Sequence, residues 1–331
     1  MKSWLWAAGV IFVTTSAFGW GEKGHYIVNE AATFGMPNDM PAFFYKAYPE
    51  LIFLAYDPDR WRGAGESLDA VNPPDHFLDY EYIAHLDLPP DRYKFVALLA
   101  TSGTMRRYGI GNTTAGFLPW KIAEMTELLT NEFRQWRFAP AGSRERSFIE
   151  RDIIHAAGVL GHFAGDSSNP HHATINYNGW ILPNPNHYAF DCETHERFET
   201  RFVSHAMVLE DVTPRVAPPA LRTNYFKTAV EAVRASNALV ETLYRMDRDG
   251  AFDVFRPVSP EAKAFTAERL AAGAALLRDL WWSAWRNSGN PRRRTAVTPS
   301  GSEGPGGAEG MRMGQMRRAV RPSSPLAKRS G

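Results

Sequence analysis

The chain has 331 residues, 44% of them hydrophobic, 13% aromatic and 22% charged, with a formal net charge of +1. This is globular composition, long enough for one large domain or two small ones, and the single cysteine, Cys192, excludes an intramolecular disulfide, so stability must come from the core or from metal. From Pro291 onward nine Lys/Arg face two Asp/Glu, which leaves the preceding part acidic by about six charges. Such a body is a poor general binder of polyanions but suits the retention of several divalent cations.

Lys2, the apolar run from Trp4 to Val13 and the small residues up to Gly19 have the order of a secretory signal peptide over residues 1–19, cut before Trp20. The apolar run is too short for a membrane span, and the expected location is secreted or periplasmic. Residues 24–33 have helical spacing. Residues 50–92 are rich in proline and aspartate and read as a long irregular stretch, ordered by Phe53, Leu54, Tyr56, Trp61, Phe77, Leu78, Tyr80 and Tyr82. Helical periodicity predicts helices near 93–107, 117–137, 145–166, 193–210, 221–247 and 259–287. No strand alternation is present, so the expected fold is all-α, a single compact multi-helix domain over residues 20–288. Residues 289–331, rich in Ser, Gly, Pro and Arg, read as a disordered basic tail.

The densest chemistry lies in His162-Phe163-Ala164-Gly165-Asp166-Ser167-Ser168-Asn169-Pro170-His171-His172. His162 and Asp166, four apart, share one face at the end of a helix. Pro170 stops that helix, so the chain can turn and bring His172 back, an N, O, N set that zinc accepts. His195 and Glu199 repeat the spacing of four. Asp57 and Asp59, each with an arginine three residues later (Arg60, Arg62), and the run Asp75-His76-Phe77-Leu78-Asp79 add oxygen and nitrogen donors. Cleavage before Trp20 would free an amine beside the Trp20 carbonyl, with His25 five residues on. Taken singly, each set has a plainer reading: a solvated i,i+4 contact, a turn-forming aspartate, a buried Trp. Together they supply about nine donors, enough for three ions if one carboxylate bridges.

These motifs, over residues 20 to about 205, resemble the family of the zinc-dependent phospholipases C and the fungal-type single-strand-specific nucleases. The resemblance rests on Trp20-Gly21-x-x-Gly24-His25, on His162-x-x-x-Asp166-x-x-x-Pro170-x-His172 and on His195-x-x-x-Glu199. It implies three zinc ions: the first on Asp59, His76, His162 and Asp166, the second on His172, His195 and Glu199, the third on Trp20, His25 and the bridging Asp166. Asp57 is the alternative to Asp59, which is preferred for its spacing to His76. Glu199 is the phospholipase form of the last ligand. The absence of disulfides departs from the fungal members.

What the resemblance implies for function is hydrolysis of a phosphodiester by a metal-activated hydroxide, with Asp59 and Arg62 as catalytic residues and Arg62 offsetting charge on the phosphoryl oxygens. The preferred substrate is single-stranded nucleic acid or nucleotides, as in a nuclease/3′-nucleotidase, with Phe77 stacking on a base and Asp79 accepting from its edge. The alternative is a phospholipase C acting on phospholipid head groups. A non-catalytic zinc-binding protein is disfavoured, because a structural site would be closed by four protein ligands and the second ion has three. No obligate protein partner is expected.

Overall fold

The computed structural model describes residues 20–290, so the expected leader and the basic tail from residue 291 lie outside the described residues. The described residues are helices joined by turns, with no strand among them, and the all-α expectation holds.

The architecture is set by the Arg144–Asp166 helix, whose first turn is capped by Ser143 Oγ accepting from the Arg146 amide. Ile149, Ile153, Ala156, Ala157, Leu160 and Phe163 recur at helical spacing and are all buried. Each fully buried Leu, Ile or Phe side chain contributes about 1.5–3 kcal/mol, enough to make this helix the core around which others gather. Leu118–Phe138 and Pro260–Ser288 pack along it, and Tyr48–Leu54 and Gly21–Thr33 cross it on the side that carries the histidines. Trp281 Nε1 donates to the Ala157 carbonyl at 3.0 Å, tying Pro260–Ser288 to the middle of the central helix.

Close approach of Gly21–Thr33 and Tyr48–Leu54 depends on three glycines of the central helix. A Cβ on Gly161 would lie 1.9 Å from Asn29 Oδ1, one on Gly158 would lie 2.5 Å from Leu54 Cβ, and one on Gly165 would lie 3.2 Å from His25 Nδ1. Asn29, fully buried, donates to the carbonyls of Leu51 (2.7 Å) and Gly158 (3.1 Å), so one amide clamps three helices. This seam delivers His25 to the central helix, where its ring stacks on His162 with centroids 3.8 Å apart.

Several expected elements differ in detail. The stretch 50–92 is a chain of short helical turns, Tyr48–Leu54, Asp57–Arg60, Glu66–Val71, Pro73–His76 and Tyr80–Ile83; Pro58, Pro73 and Pro74 sit at helix starts, where the missing N–H costs nothing, and Pro89 and Pro90 lie in the non-helical segment that follows. The helix predicted at 93–107 is two, Arg92–Thr101 and Thr104–Tyr108, separated by Gly103 in the left-handed region (φ 78°). The 221–247 helix is also two, starting at Tyr225 where Asn224 caps the Lys227 amide. The 193–210 helix is Thr194–Glu196, a π-helical Arg197–Phe202 and Val203–Ala206, an irregularity frequent beside functional groups.

Candidate metal centre

The end of the central helix places His162 and Asp166 on one face, with His162 Nε2 3.3 Å from Asp166 Oδ2. His162 Nδ1 donates to the Ala55 carbonyl (2.9 Å), which fixes the tautomer and turns the Nε2 lone pair toward the cluster. The helix ends at Asp166, and Pro170–Ala173 forms a 3-10 turn, with Asn169 Oδ1 accepting from the His171 amide. That turn brings His172 back beside His195 and Glu199. His172 Nδ1 donates to the His76 carbonyl (2.6 Å), again leaving Nε2 for the centre.

His76 arrives from a segment stitched in place by main-chain bonds. The Leu78 amide donates to the His172 carbonyl (2.9 Å), the Phe117 amide to Pro74 (2.6 Å) and the Leu118 amide to Phe77 (3.1 Å). Buried Asp75 anchors the same turn through Arg92 (2.9 Å) and Lys121 (3.1 Å). His76 Nδ1 consequently lies 3.0 Å from Asp166 Oδ2 and 2.9 Å from His162 Nε2.

Three donor sets result, each with ligand atoms within 4.8 Å of one another and all residues buried: His25, His162 and Asp166; Asp59, His76 and His162; His172, His195 and Glu199. In the third set, His195 Nε2 is 2.6 Å from Glu199 Oε2 and 3.2 Å from His172 Nε2. Asp166 is the hub, reaching His76 and His162 with one oxygen and His25 (3.5 Å) and His172 (3.7 Å) with the other. Asp59 belongs to the cluster, whereas Asp57 turns outward to Arg60 (2.7 Å), so geometry separates the two alternatives. Arg62 grips Asp59 Oδ1 through Nε (2.9 Å) and Nη2 (2.8 Å), the same oxygen lies 3.9 Å from His162 Nε2, and Oδ2 is buried without a partner. Trp20 lies beneath His25: its indole donates to the Gly165 carbonyl (2.7 Å) and packs on Phe198.

The chemistry of this donor set fits a cation. His25 Nδ1 and Nε2, Asp59 Oδ2, His76 Nε2, Asp166 Oδ1 and His195 Nδ1 are buried without hydrogen-bond partners, an arrangement that costs about 1–3 kcal/mol per group unless a ligand satisfies it. Burial, with His162 nearby, holds His25 well below the usual imidazole range, and burial does the same to His195. Neutral imidazole is the form that coordinates. Burial opposes ionisation of Asp166, but the positive charge of His162, whose own pKa Asp166 and Asp59 raise against burial, outweighs it and keeps that carboxyl well below the ordinary value; a bound cation would take the place of that proton. Burial and the Asp166 carboxylate push Glu199 well above its ordinary range, so it gives up its proton readily only to a cation.

Phe77 and Asp79 belong to none of the three sets. The Phe77 ring lies against Gly116, where a Cβ would come within 2.7 Å of Cδ2. Asp79 is 8% exposed, and burial with Glu81 nearby pushes its carboxyl up to about 8. This upward shift disfavours the charged form of the Asp79 carboxyl.

One further group escaped the sequence reading. Asn169, fully buried, donates to Glu199 Oε2 (3.0 Å) and so orients a ligand of the third set; an Asn-Pro pair after a helix reads as a turn, and nothing local marks a second use.

No protein-family model and no curated protein matches the chain. Solved structures similar to it include the alpha-toxin of Clostridium absonum, with a TM-score of 0.43 and 13% identity, covering 82% of this chain and 67% of the toxin. Another is the alpha-toxin of Clostridium perfringens from an avian strain, with a TM-score of 0.40 and 12% identity over 82% of this chain and 64% of the toxin. The chain spans about two thirds of the length of either toxin. Among the described residues no helix is long and apolar enough to cross a membrane.

Proposed function

We propose that the protein is an exported, zinc-dependent phosphodiester hydrolase whose substrate is a phospholipid head group. The observation that carries the hydrolase reading is the convergence of three buried donor sets, whose residues leave six ring or carboxylate atoms without hydrogen-bond partners. Asp59, His76, His162 and Asp166 would hold one ion, His172, His195 and Glu199 a second, and His25 with Asp166 and the freed Trp20 main chain a third. Bound zinc supplies Lewis acidity and makes hydroxide accessible near neutral pH.

The chain's own groups prepare that chemistry. The carbonyls of Ala55 and His76 fix two histidine tautomers, and Asn169 aims Glu199. Arg62, held on Asp59 at the edge of the cluster with 19% of its side chain exposed, would offset charge on phosphoryl oxygens.

The substrate reading departs from the nuclease expected from sequence. That preference rested on Phe77 and Asp79; the Phe77 ring is only partly exposed and lies against Gly116, and Asp79 is 8% exposed, which leaves little of either for a base to reach. The phospholipid reading is supported by the surface beside His195, where an uncharged segment exposes Tyr177, Ile181, Leu182 and Phe190.

The test is to dialyse the protein against a chelator, restore zinc, and assay phosphatidylcholine, single-stranded DNA and RNA. Zinc-restored release of the phosphorylated head group is expected. Hydrolysis of nucleic acid alone would return the nuclease reading, and no metal-dependent hydrolysis of any of the three would remove the enzyme reading. His172→Ala should lower turnover by orders of magnitude with helix content retained. One extra residue before Trp20 should reduce the zinc content from about three to about two.

A further inference from the structure

Residues 173–190 contain no Asp, Glu, Lys or Arg, although the chain as a whole is 22% charged. The segment lies between two of the proposed ligands, His172 and His195, and its near end reaches the metal centre, with the Tyr177 ring 6.1 Å from that of His195. Its apolar side chains face outward: Ile181 is 68% exposed, Phe190 78%, Tyr177 49% and Leu182 41%.

This exposure does not come from a loose backbone. The Trp180 amide donates to the Ala189 carbonyl (2.8 Å), closing the excursion at its neck, and Asn184 bonds both the amide and the carbonyl of Tyr188 (2.8 Å each). The Ile181 amide donates to Asn176 Oδ1 (2.9 Å). Buried Tyr244 accepts from the Gly179 amide (3.0 Å) and donates to the Asn176 carbonyl, and the Trp180 ring packs between Tyr188 and Tyr244. The segment has a built interior, and its outer face is apolar by construction. Several exposed large apolar side chains on one hydrogen-bonded, uncharged loop mark an interaction surface.

We infer that this loop docks the protein on a phospholipid bilayer by inserting Ile181, Leu182 and Phe190 among the head groups and upper acyl chains, and so brings the metal centre to its substrate; the inference rests on the phospholipid reading above. Three features select a bilayer over another occupant. The absence of formal charge over 18 consecutive residues removes the cost of carrying an ion into the interface. Tyr177, exposed, and Trp180, partly exposed, are amphipathic rings of the kind that favours the water–lipid boundary. Arg248 Nη1 donates to the Asn186 carbonyl (3.1 Å) and, although also paired with Asp249 (2.9 Å), sets a guanidinium at the rim where lipid phosphates would lie.

The experiment compares zinc-loaded wild type with an Ile181→Ser/Leu182→Ser/Phe190→Ser variant. Sedimentation with phosphatidylcholine vesicles reports docking, and turnover of soluble bis(p-nitrophenyl) phosphate reports the metal centre. The variant is expected to lose about a hundredfold in vesicle affinity while hydrolysing the soluble diester at the wild-type rate and keeping its helical circular dichroism. Equal vesicle binding by the two proteins would overturn the inference. So would binding that requires anionic lipid, or a wild-type dimer that the substitutions dissociate with no vesicle binding at all. Failure of the functional reading looks different: vesicles would still be bound, with neither lipid nor soluble diester hydrolysed.

Discussion

His171 shows how burial, helped by the charges of His172 and Arg197, alters a side chain that carries no assigned task. Both its ring nitrogens are buried without partners, its ring is surrounded by those of His195, Phe198 and Tyr244, and burial lowers its pKa to about 3. Folded His171 stays neutral while the unfolded chain takes a proton below about 6.5, so its contribution is fully present above that pH and is lost as pH falls toward 3. His171→Phe, which keeps the ring and removes the titration, should gain about 2 kcal/mol relative to wild type between pH 6.5 and 5. Urea unfolding of the two chelated proteins at both pH values measures it, and a difference independent of pH would show that His171 titrates normally. At this scale the sequence was readable where spacing carries meaning: His162, Asp166, His172, His195 and Glu199 all converge. It was unreadable where a contact joins residues far apart, as between Asn169 and Glu199 or between His172 and the His76 carbonyl.

Among the elements, the glycine seam of Arg144–Asp166 positions the first helix, and Gly161 is its tightest point. A methyl group there must displace Asn29, breaking its bonds to Leu51 and Gly158 and shifting His25 off His162. Gly161→Ala is expected to destabilise the protein by about 3 kcal/mol and to lower the affinity for the ion that His25 would share. Denaturant unfolding and zinc titration check both effects, and a loss below about 0.5 kcal/mol would mean that the helices part freely. Adding Asn29→Ala should recover part of the stability, because the two sites touch. The long helices were legible because 20 or so residues of periodic apolar spacing outweigh local noise. The turns between Tyr48 and Ile83 were not, since helices of four to seven residues span too few periods to register. The π-helical Arg197–Phe202 has no compositional mark either.

For the whole molecule, the proposed ions and the fold should depend on each other. The donors come from Gly21–Thr33, Asp57–Arg60, Pro73–His76, the end of Arg144–Asp166, Pro170–Ala173 and the Thr194–Phe202 region, so no single element can form a site alone. Zinc removal is expected to lower the midpoint of thermal unfolding by several degrees, since a ligand present at about 100 times its Kd contributes about 2.7 kcal/mol. An unchanged midpoint after complete chelation would mean that the donors are not ligands. The single thiol, Cys192, is exposed and has no second cysteine to join. Asp166, by drawing together side chains from positions 25, 76, 162 and 172, marks where metal would serve as the cross-link. Loops of roughly 50 to 90 residues would be closed at one point, restricting the unfolded chain much as bridges do in other exported proteins. Such a clasp opens to a chelator and is indifferent to a reductant, so a phosphine reductant that does not hold zinc through thiolates should leave resistance to proteolysis intact while EDTA removes it.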